Sequence, residues 1–401
     1  MKDKSIKNLE SYSIFASYRI GDFPRAGLKF HPWEITETKA ILINAYDFIA
    51  NPRTTKIARE WESKKQNVST SIEFSGPIMM DSGAYNFIKQ GNISITPTEV
   101  LDITIAKKTD FGVVLDHPFP PNLPSNEVET RIKTTKDNTK IMVEYLKTKK
   151  PQPENFELIP VIHGHDKETI KKFVEDLNKI LGEEPKIVGI GSLAPLAQNG
   201  SKTKIVDVIS TVRKLLPKSH IHCFSMGSAL QMLLAFYCGA DTVDSQTWIM
   251  SAAFKQVQLP GSYLTRLSKR EEEKNVKFDE LKRKFAHRLL MLTNDENFII
   301  KNWETKEDWK IHSLNDAYEY IDFLMDENKK NNIHRRACHN LYTFNFEAKK
   351  VRELSKTSRA EFENFIQKRL ISTVYDKPLK YALENKNTVN FKTKTNAVKA
   401  G

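Results

Sequence analysis

Short apolar runs alternate with amphipathic stretches from the start of the chain to about residue 255. The runs are Ser13–Ser17, Ile41–Tyr46, Pro77–Asp81, Gly112–Asp116, Leu158–His163, Lys186–Gly191, His220–Ser225 and Asp241–Asp244. Brief apolar runs bounded by turn residues predict buried strands. Eight of them match the strand count of a closed parallel barrel.

The intervening stretches predict helices. Thr96-Pro97-Thr98-Glu99 is a capping box with proline at the first helical position. Asp166 can cap a helix whose Ile170, Phe173, Val174, Leu177 and Leu181 fall on one stripe, with Gly182 as its stop. Ile205, Val208, Ile209, Val212 and Leu216 repeat the stripe before the breaker Pro217. Leu230 to Tyr237 is apolar almost all round, which predicts a well-buried helix. Strand–helix alternation of this kind means a parallel α/β sheet. An open doubly wound sheet is the structural alternative, but no GxGxxG follows the first strand. The expected fold is therefore α/β, a TIM (β/α)8 barrel with a mostly helical C-terminal appendage.

The texture changes after residue 255. Ser268 to Lys284 reads as a highly charged helix, and Asn-, Asp- and Lys-rich sequence follows. The expected organisation is a catalytic barrel over 1–255 and a charged helical subdomain over 256–337. A helical segment over 338–376 closes the barrel, and a basic mobile tail covers 377–401.

Composition narrows the class. Hydrophobic residues make up 39% and charged residues 28% of the 401, which suits a globular domain. No stretch reaches the roughly 20 apolar residues of a membrane span, so no membrane partner is expected. The polar beginning points to the cytoplasm. Three cysteines argue against a disulfide framework and cannot form a CxxC cluster. The net charge of +12 suggests a polyanionic partner, although a lysine-rich coding bias would give the same excess.

In a parallel barrel the chemistry sits at the C-terminal ends of the strands. Polar residues collect there: Asp81-Ser82-Gly83, Asp116-His117, His163-Gly164-His165, Gly191-Ser192, Ser225-Met226-Gly227 and Asp244-Ser245. A single Asp after a strand is often only a helix cap. Asp81, Asp116 and Asp244 in register at three strand ends, with His163 beside them, instead predict one ring of carboxylates at the barrel mouth.

These motifs resemble the tRNA-guanine transglycosylase superfamily. Asp81-Ser82-Gly83-Ala84-Tyr85-Asn86 is similar to its Asp-Ser-Gly-Gly-Phe-Gln motif, and Val114-Leu115-Asp116 to its base-binding strand end. Gly191-Ser192-Leu193-Ala194-Pro195-Leu196 resembles the archaeal-type Gly-Gly-Val-Val-Pro-Leu loop. His222-Cys223-Phe224-Ser225-Met226-Gly227 resembles the His-Leu-Phe-Gly-Ala-Gly strand. Gly239 to Ser245 is similar to the nucleophile motif Gly-Cys-Asp-Leu-Phe-Asp-Ser, and His339-Asn340-Leu341-Tyr342 to the segment carrying the last zinc ligand. Any one of these motifs is weak alone; together they keep the family's order.

The resemblance implies a pentosyltransferase that exchanges guanine through a covalent intermediate. Asp244 is then the nucleophile and Asp81 the general acid and base. Asp116 is placed to accept both N–H groups of guanine's Watson–Crick edge. His163 stands where the family has a glutamine that contacts the base, with backbone N–H groups near Ser192 and Leu193. Ser82, Gly83, Asn86 and Met226 complete the base pocket, and Tyr85 can stack on the base.

The chain also departs from the pattern. Of the zinc ligands only His339 is matched, with Cys338 beside it and no cysteine between Ser251 and Ala337. A closed zinc site takes four ligands. His334 and Cys338 are helically spaced but too few, so no zinc and no other cofactor is expected. The departures at Asn86 and His163 make the chain most similar to the DpdA-type branch. That branch inserts a 7-deazaguanine into DNA, and the archaeal-type loop suggests the 7-cyano base, preQ0. The expected partners are thus DNA and a 7-deazaguanine base, with a duplex-opening protein and a homodimer both compatible. The alternatives are the same reaction on tRNA, a non-catalytic nucleic-acid-binding subunit, and a metal-dependent barrel hydrolase.

Overall fold

In the computed structural model, residues 9–20, 30–63, 67–89, 92–198, 200–267, 276–326 and 332–385 are described. The barrel strands are β1 (Ser13–Ser17), β2 (Ala40–Asn44), β3 (Ile78–Asp81) and β4 (Phe111–Val113). Then come β5 (Glu157–Ile159 with Val161–Ile162), β6 (Ile187–Ile190), β7 (His220–Cys223) and β8 (Thr242–Ser245). All pair in parallel.

Pro160 divides β5, and that division closes the barrel. The first half pairs with β4, Val113 opposite Ile159. The second half pairs with β6, Val161 opposite Gly189. Proline lacks an N–H to donate, but its carbonyl still accepts from Gly189 N–H at 2.9 Å. The α/β barrel expected from the eight apolar runs is therefore the fold observed, with strand bounds close to those runs.

Strand periodicity decides what faces inward. Phe15, Leu42, Met79, Phe111, Val113, Ile159, Val161 and Ile187 share one apolar cluster, the barrel interior. Their neighbours Ile14, Ile41, Ile43, Met80, Ile162, Val188 and Val243 pack instead with the surrounding helices. One step of two residues up the interior face, the chain becomes polar: Leu42 leads to Asn44, Met79 to Asp81 and Val161 to His163. The barrel is thus oily below and polar at the end where the strands finish.

The caps read from sequence form. Thr96 Oγ1 accepts the Glu99 N–H while Glu99 returns the bond to Thr96 N–H, opening the helix Pro97–Ala106. Asp166 caps Lys167–Leu181, which stops at Gly182 with φ of 79°. The helix Ala229–Cys238 is buried throughout.

A second apolar core, separate from the barrel, gathers Val257, Phe285, Leu289, Phe298, Trp303, Tyr320, Leu324 and Tyr342. The helix Asn332–Thr357 lies between the two cores. It gives Ala337, Leu341, Phe344, Ala348 and Val351 to the barrel side, and Cys338, Tyr342 and Phe346 to the second core. A division at 337/338 therefore falls inside one continuous helix, which corrects the sequence-based boundary. Residues 268–275 of the expected charged helix lie outside the described residues, and its remainder belongs to Val276–Glu296.

The expected mobile tail also needs correction at its start. Asp376–Glu384 is a helix with Pro378, Leu379 and Ala382 buried. It is held by Tyr381 Oη donating to Asp207 at 3.0 Å. Three buried positions on one stripe outweigh its lysines. Residues 386–401 lie outside the described part. No described helix is long and apolar enough to cross a membrane.

Candidate active site

Asp81 ends β3, Asp116 follows β4 and Asp244 lies in β8. The barrel brings the three together, and the electrostatics record it. The Asp81 carboxyl is pushed up to about 7, first by burial, then by repulsion from Asp116 and from Asp244. The backbone N–H groups of Gly83 and Ser82 oppose the rise, the former at 3.1 Å from Asp81 Oδ2. A carboxyl half protonated at neutral pH can both give and take a proton.

The turn after Asp81 is tight. Gly83 has φ of 88°, and a Cβ there would lie 2.4 Å from Asn44 Oδ1 and from the Tyr46 Cβ. Only glycine fits. This turn buries Ser82, whose hydroxyl donates to Asp116 Oδ1 at 3.2 Å. Tyr85 is exposed on the rim, and the exposed Asn86 spends its amide on the Gly83 carbonyl at 2.8 Å.

Asp116 is only 8% exposed and is held from two sides. Besides Ser82, His163 Nε2 lies 2.9 Å from its Oδ2. His163 Nδ1 is 2.9 Å from Ser192 Oγ, and that oxygen accepts the Phe119 N–H at 3.0 Å. Geometry fixes the protons. Asp116 can only accept, so Nε2 carries the hydrogen. Ser192 Oγ faces Nδ1, so the three side chains form a chain Ser192–His163–Asp116.

This changes the place of His163. The sequence reading put it against the base as the glutamine's substitute. In the structure its side chain is fully buried and both nitrogens are occupied. It orients Asp116 rather than reaching into the pocket. Gly191 makes room for the ring, since a Cβ there would lie 2.3 Å from His163 Cε1. Each carboxylate oxygen of Asp116 retains a further acceptor site for a ligand.

Asp244 is 6% exposed. Its Oδ1 accepts the Ser225 N–H at 2.7 Å. Ser225 achieves this with φ of 61°, a left-handed conformation that strains any residue with a Cβ. Ser192, at the other loop, has φ of 58°. Strained serines thus stand in the loop that bonds Asp244 and in the loop that bonds His163. Leu193 and Met226 are buried beside them.

His222 and Thr242 were missed from the sequence as site residues. His222 lies 3.5 Å from Asp244 through Nε2, and Thr242 contacts its Nδ1 at 3.0 Å. The available signal was polarity on the inward face of otherwise apolar strands.

The zinc site implied by the resemblance does not fit the residues present. His339 Nε2 donates to the Gln258 carbonyl at 2.9 Å, and Nδ1 accepts from Tyr320 Oη at 2.8 Å. Trp303 Nε1 in turn donates to Tyr320 Oη at 2.6 Å. Burial pushes His339 down to about 4, so it stays neutral. Burial pushes the Cys338 thiol up. Among the described residues no three His, Cys, Asp or Glu side chains are placed to hold a metal. Asn340 instead ties structure together, accepting from Gln258 N–H at 2.9 Å and donating toward Trp248, Ser251 and Gln256.

A groove of about 390 Å³ lies away from this site. It is lined by Val143, Leu146, Phe156, Leu158, Leu181 and Ile187, and none of the acidic triad borders it.

Comparison with known proteins agrees with the motifs. The profile of the family described as Queuine tRNA-ribosyltransferase matches residues 25–373. A tRNA-guanine(15) transglycosylase of Methanococcus aeolicus is 27% identical over 228 residues, 56% of this chain and 32% of that protein. One of Methanobrevibacter smithii is 30% identical over 183 residues, 45% of this chain and 27% of that protein. One of Archaeoglobus fulgidus is 26% identical over 214 residues, 53% of this chain and 42% of that protein. The matches span about a third of the length of these curated relatives.

Proposed function

Since the chain belongs to the queuine tRNA-ribosyltransferase family, we propose that it is a guanine transglycosylase acting on a nucleic acid. One observation carries the reading: the pair Asp81 and Asp244 share one barrel mouth, with Asp81 holding its proton near neutrality.

Asp244 Oδ2 attacks the anomeric carbon of a guanosine whose base has been flipped out of its stack. The bond from that carbon to the base breaks, and the departing guanine takes the proton of Asp81. A glycosyl ester on Asp244 remains. The incoming 7-deazaguanine gives a ring proton to the Asp81 carboxylate and attacks the same carbon. The ester bond breaks, and two inversions give net retention.

Asp116 accepts the two N–H groups of either base, a charge-assisted pair of bonds. Ser192, His163 and Ser82 keep its carboxylate oriented. Backbone N–H groups near Ser192 and Leu193 serve the base carbonyl. Tyr85 covers one face from the rim and Met226 lines the other.

For the polymer, the reading is DNA with the 7-cyano base. It is supported by Asn86 and His163 at positions where tRNA-type motifs carry glutamine, and by His339 as the one zinc-ligand position that is matched. The same reaction on tRNA is the second reading, favoured by the names of the archaeal relatives. Labelled guanine incubated with the protein and either duplex DNA or unmodified tRNA separates them. Label entering DNA alone supports the first reading. Label entering tRNA alone replaces it with the second, and label in neither removes both.

A further inference from the structure

His222 sits on the inward face of β7, with its side chain fully buried. Phe15 and Phe224 wall its ring edge-on, with centroids at 5.3 and 4.6 Å. Its Nδ1 is 3.0 Å from Thr242 Oγ1. Its Nε2 has no hydrogen-bond partner among the described residues and lies 3.5 Å from Asp244 Oδ1. A buried polar nitrogen is normally paired. Here the nearest partner is the carboxylate read above as the nucleophile.

The protons can be assigned by counting. Thr242 Oγ1 also lies 3.1 Å from His220 Nε2. The hydroxyl owns one hydrogen, so it can donate to only one of the two imidazoles. Were His222 Nδ1 the donor, the neutral ring would turn an Nε2 lone pair toward a carboxylate oxygen. Repulsion disfavours that tautomer. The consistent chain runs from His220 Nε2–H to Thr242 Oγ1, from Thr242 O–H to His222 Nδ1, and from His222 Nε2–H toward Asp244 Oδ1.

We infer that His222 is a positioning residue for Asp244. The Ser225 N–H is bonded to Oδ1 and His222 Nε2 faces the same oxygen at 3.5 Å, while Oδ2 accepts no hydrogen bond among the described residues. One oxygen is thereby pinned and the other is left to attack. After attack Oδ1 becomes the carbonyl oxygen of the glycosyl ester. When the bond from Oδ2 to the sugar breaks in the second step, negative charge returns to the carboxylate. Two donors at Oδ1 stabilise that charge as it forms. A separation of 3.5 Å is compatible with such a contact, since catalytic hydrogen bonds are often long before substrate binds.

This inference rests on the reading of Asp244 as nucleophile. The test compares His222→Leu, His222→Gln, Thr242→Val and Asp244→Ala in guanine exchange, each with a thermal melt as fold control. His222→Leu is expected to lower kcat about a hundredfold, the lower end of the scale of losing one preorganised donor, with KM for guanine unchanged. Glutamine can place an amide N–H near the same point, so His222→Gln should recover most of the rate. Thr242→Val frees the imidazole tautomer and should cost a smaller part of kcat.

A full-rate His222→Leu overturns the inference. So does an equal loss in His222→Leu and His222→Gln with KM rising in step, the mark of a packing role. Should His222→Leu not fold, a folded Thr242→Val with unaltered kcat overturns it instead. Asp244→Ala keeps the two claims apart. An active Asp244→Ala removes the nucleophile reading itself, whereas an inactive one beside a full-rate His222→Leu removes only the role of His222.

Discussion

Replacing Asp81 with asparagine should stop base exchange and, at alkaline pH, stabilise the fold. The folded protein raises this carboxyl from 3.8 to about 7 through burial and the charges of Asp116 and Asp244. Between those pH values the native state binds a proton that the unfolded chain has lost. Stability contributed by this group is therefore complete below about pH 4 and is lost as pH rises through about 7. The shift corresponds to a ceiling of about 4 kcal/mol. The mouth is open to water, so the cost expected in practice is about 1–2 kcal/mol. Asparagine carries no charge and can still accept the Gly83 N–H. Urea unfolding of the native protein and Asp81→Asn at pH 5 and pH 8 measures the difference. The variant should be more stable at pH 8 and gain much less at pH 5. Equal stability at both pH values would refute the placement of Asp81 against two other carboxylates.

Two further outcomes follow from the geometry. Ser225→Gly relieves a left-handed serine yet keeps the backbone N–H that Asp244 accepts, so stability should rise by about 0.5–1 kcal/mol with exchange retained; thermal melts and a rate assay check both. Tyr320→Phe removes the hydroxyl between Trp303 and His339 and should cost about 1–2 kcal/mol, while a chelator should leave the melting temperature of the unaltered protein in place; a chelator-induced fall, or stoichiometric zinc by elemental analysis, would contradict the hydrogen-bonded core around His339.

The barrel was legible because its signal is local. Each strand is a short apolar run, and each run ends on the polar residue that the period of two carries to the mouth, as Met79 to Asp81 and Val161 to His163. The function of His163 was not legible. Its two partners, Asp116 and Ser192, come from other strands, and only the closed ring shows that both imidazole nitrogens are spent. His222 escaped for the same reason, since Asp244 and Thr242 belong to the neighbouring strand. The C-terminal helix Asn332–Thr357 hid behind composition. It crosses the expected boundary at 337/338, and its two opposed apolar faces make it the wall between two cores. In the helix Asp376–Glu384 the lysines suggested a solvated tail, while Pro378, Leu379 and Ala382 already formed a buried stripe.

The central claim is a covalent bond between Asp244 and a nucleic-acid sugar. It is tested most directly by quenching the reaction in denaturant without an incoming base, then digesting protein and polymer and reading peptide masses. The account predicts a pentose-linked adduct on the peptide containing Asp244, absent from Asp244→Ala. An adduct on any other residue, or one that persists in Asp244→Ala, would contradict it.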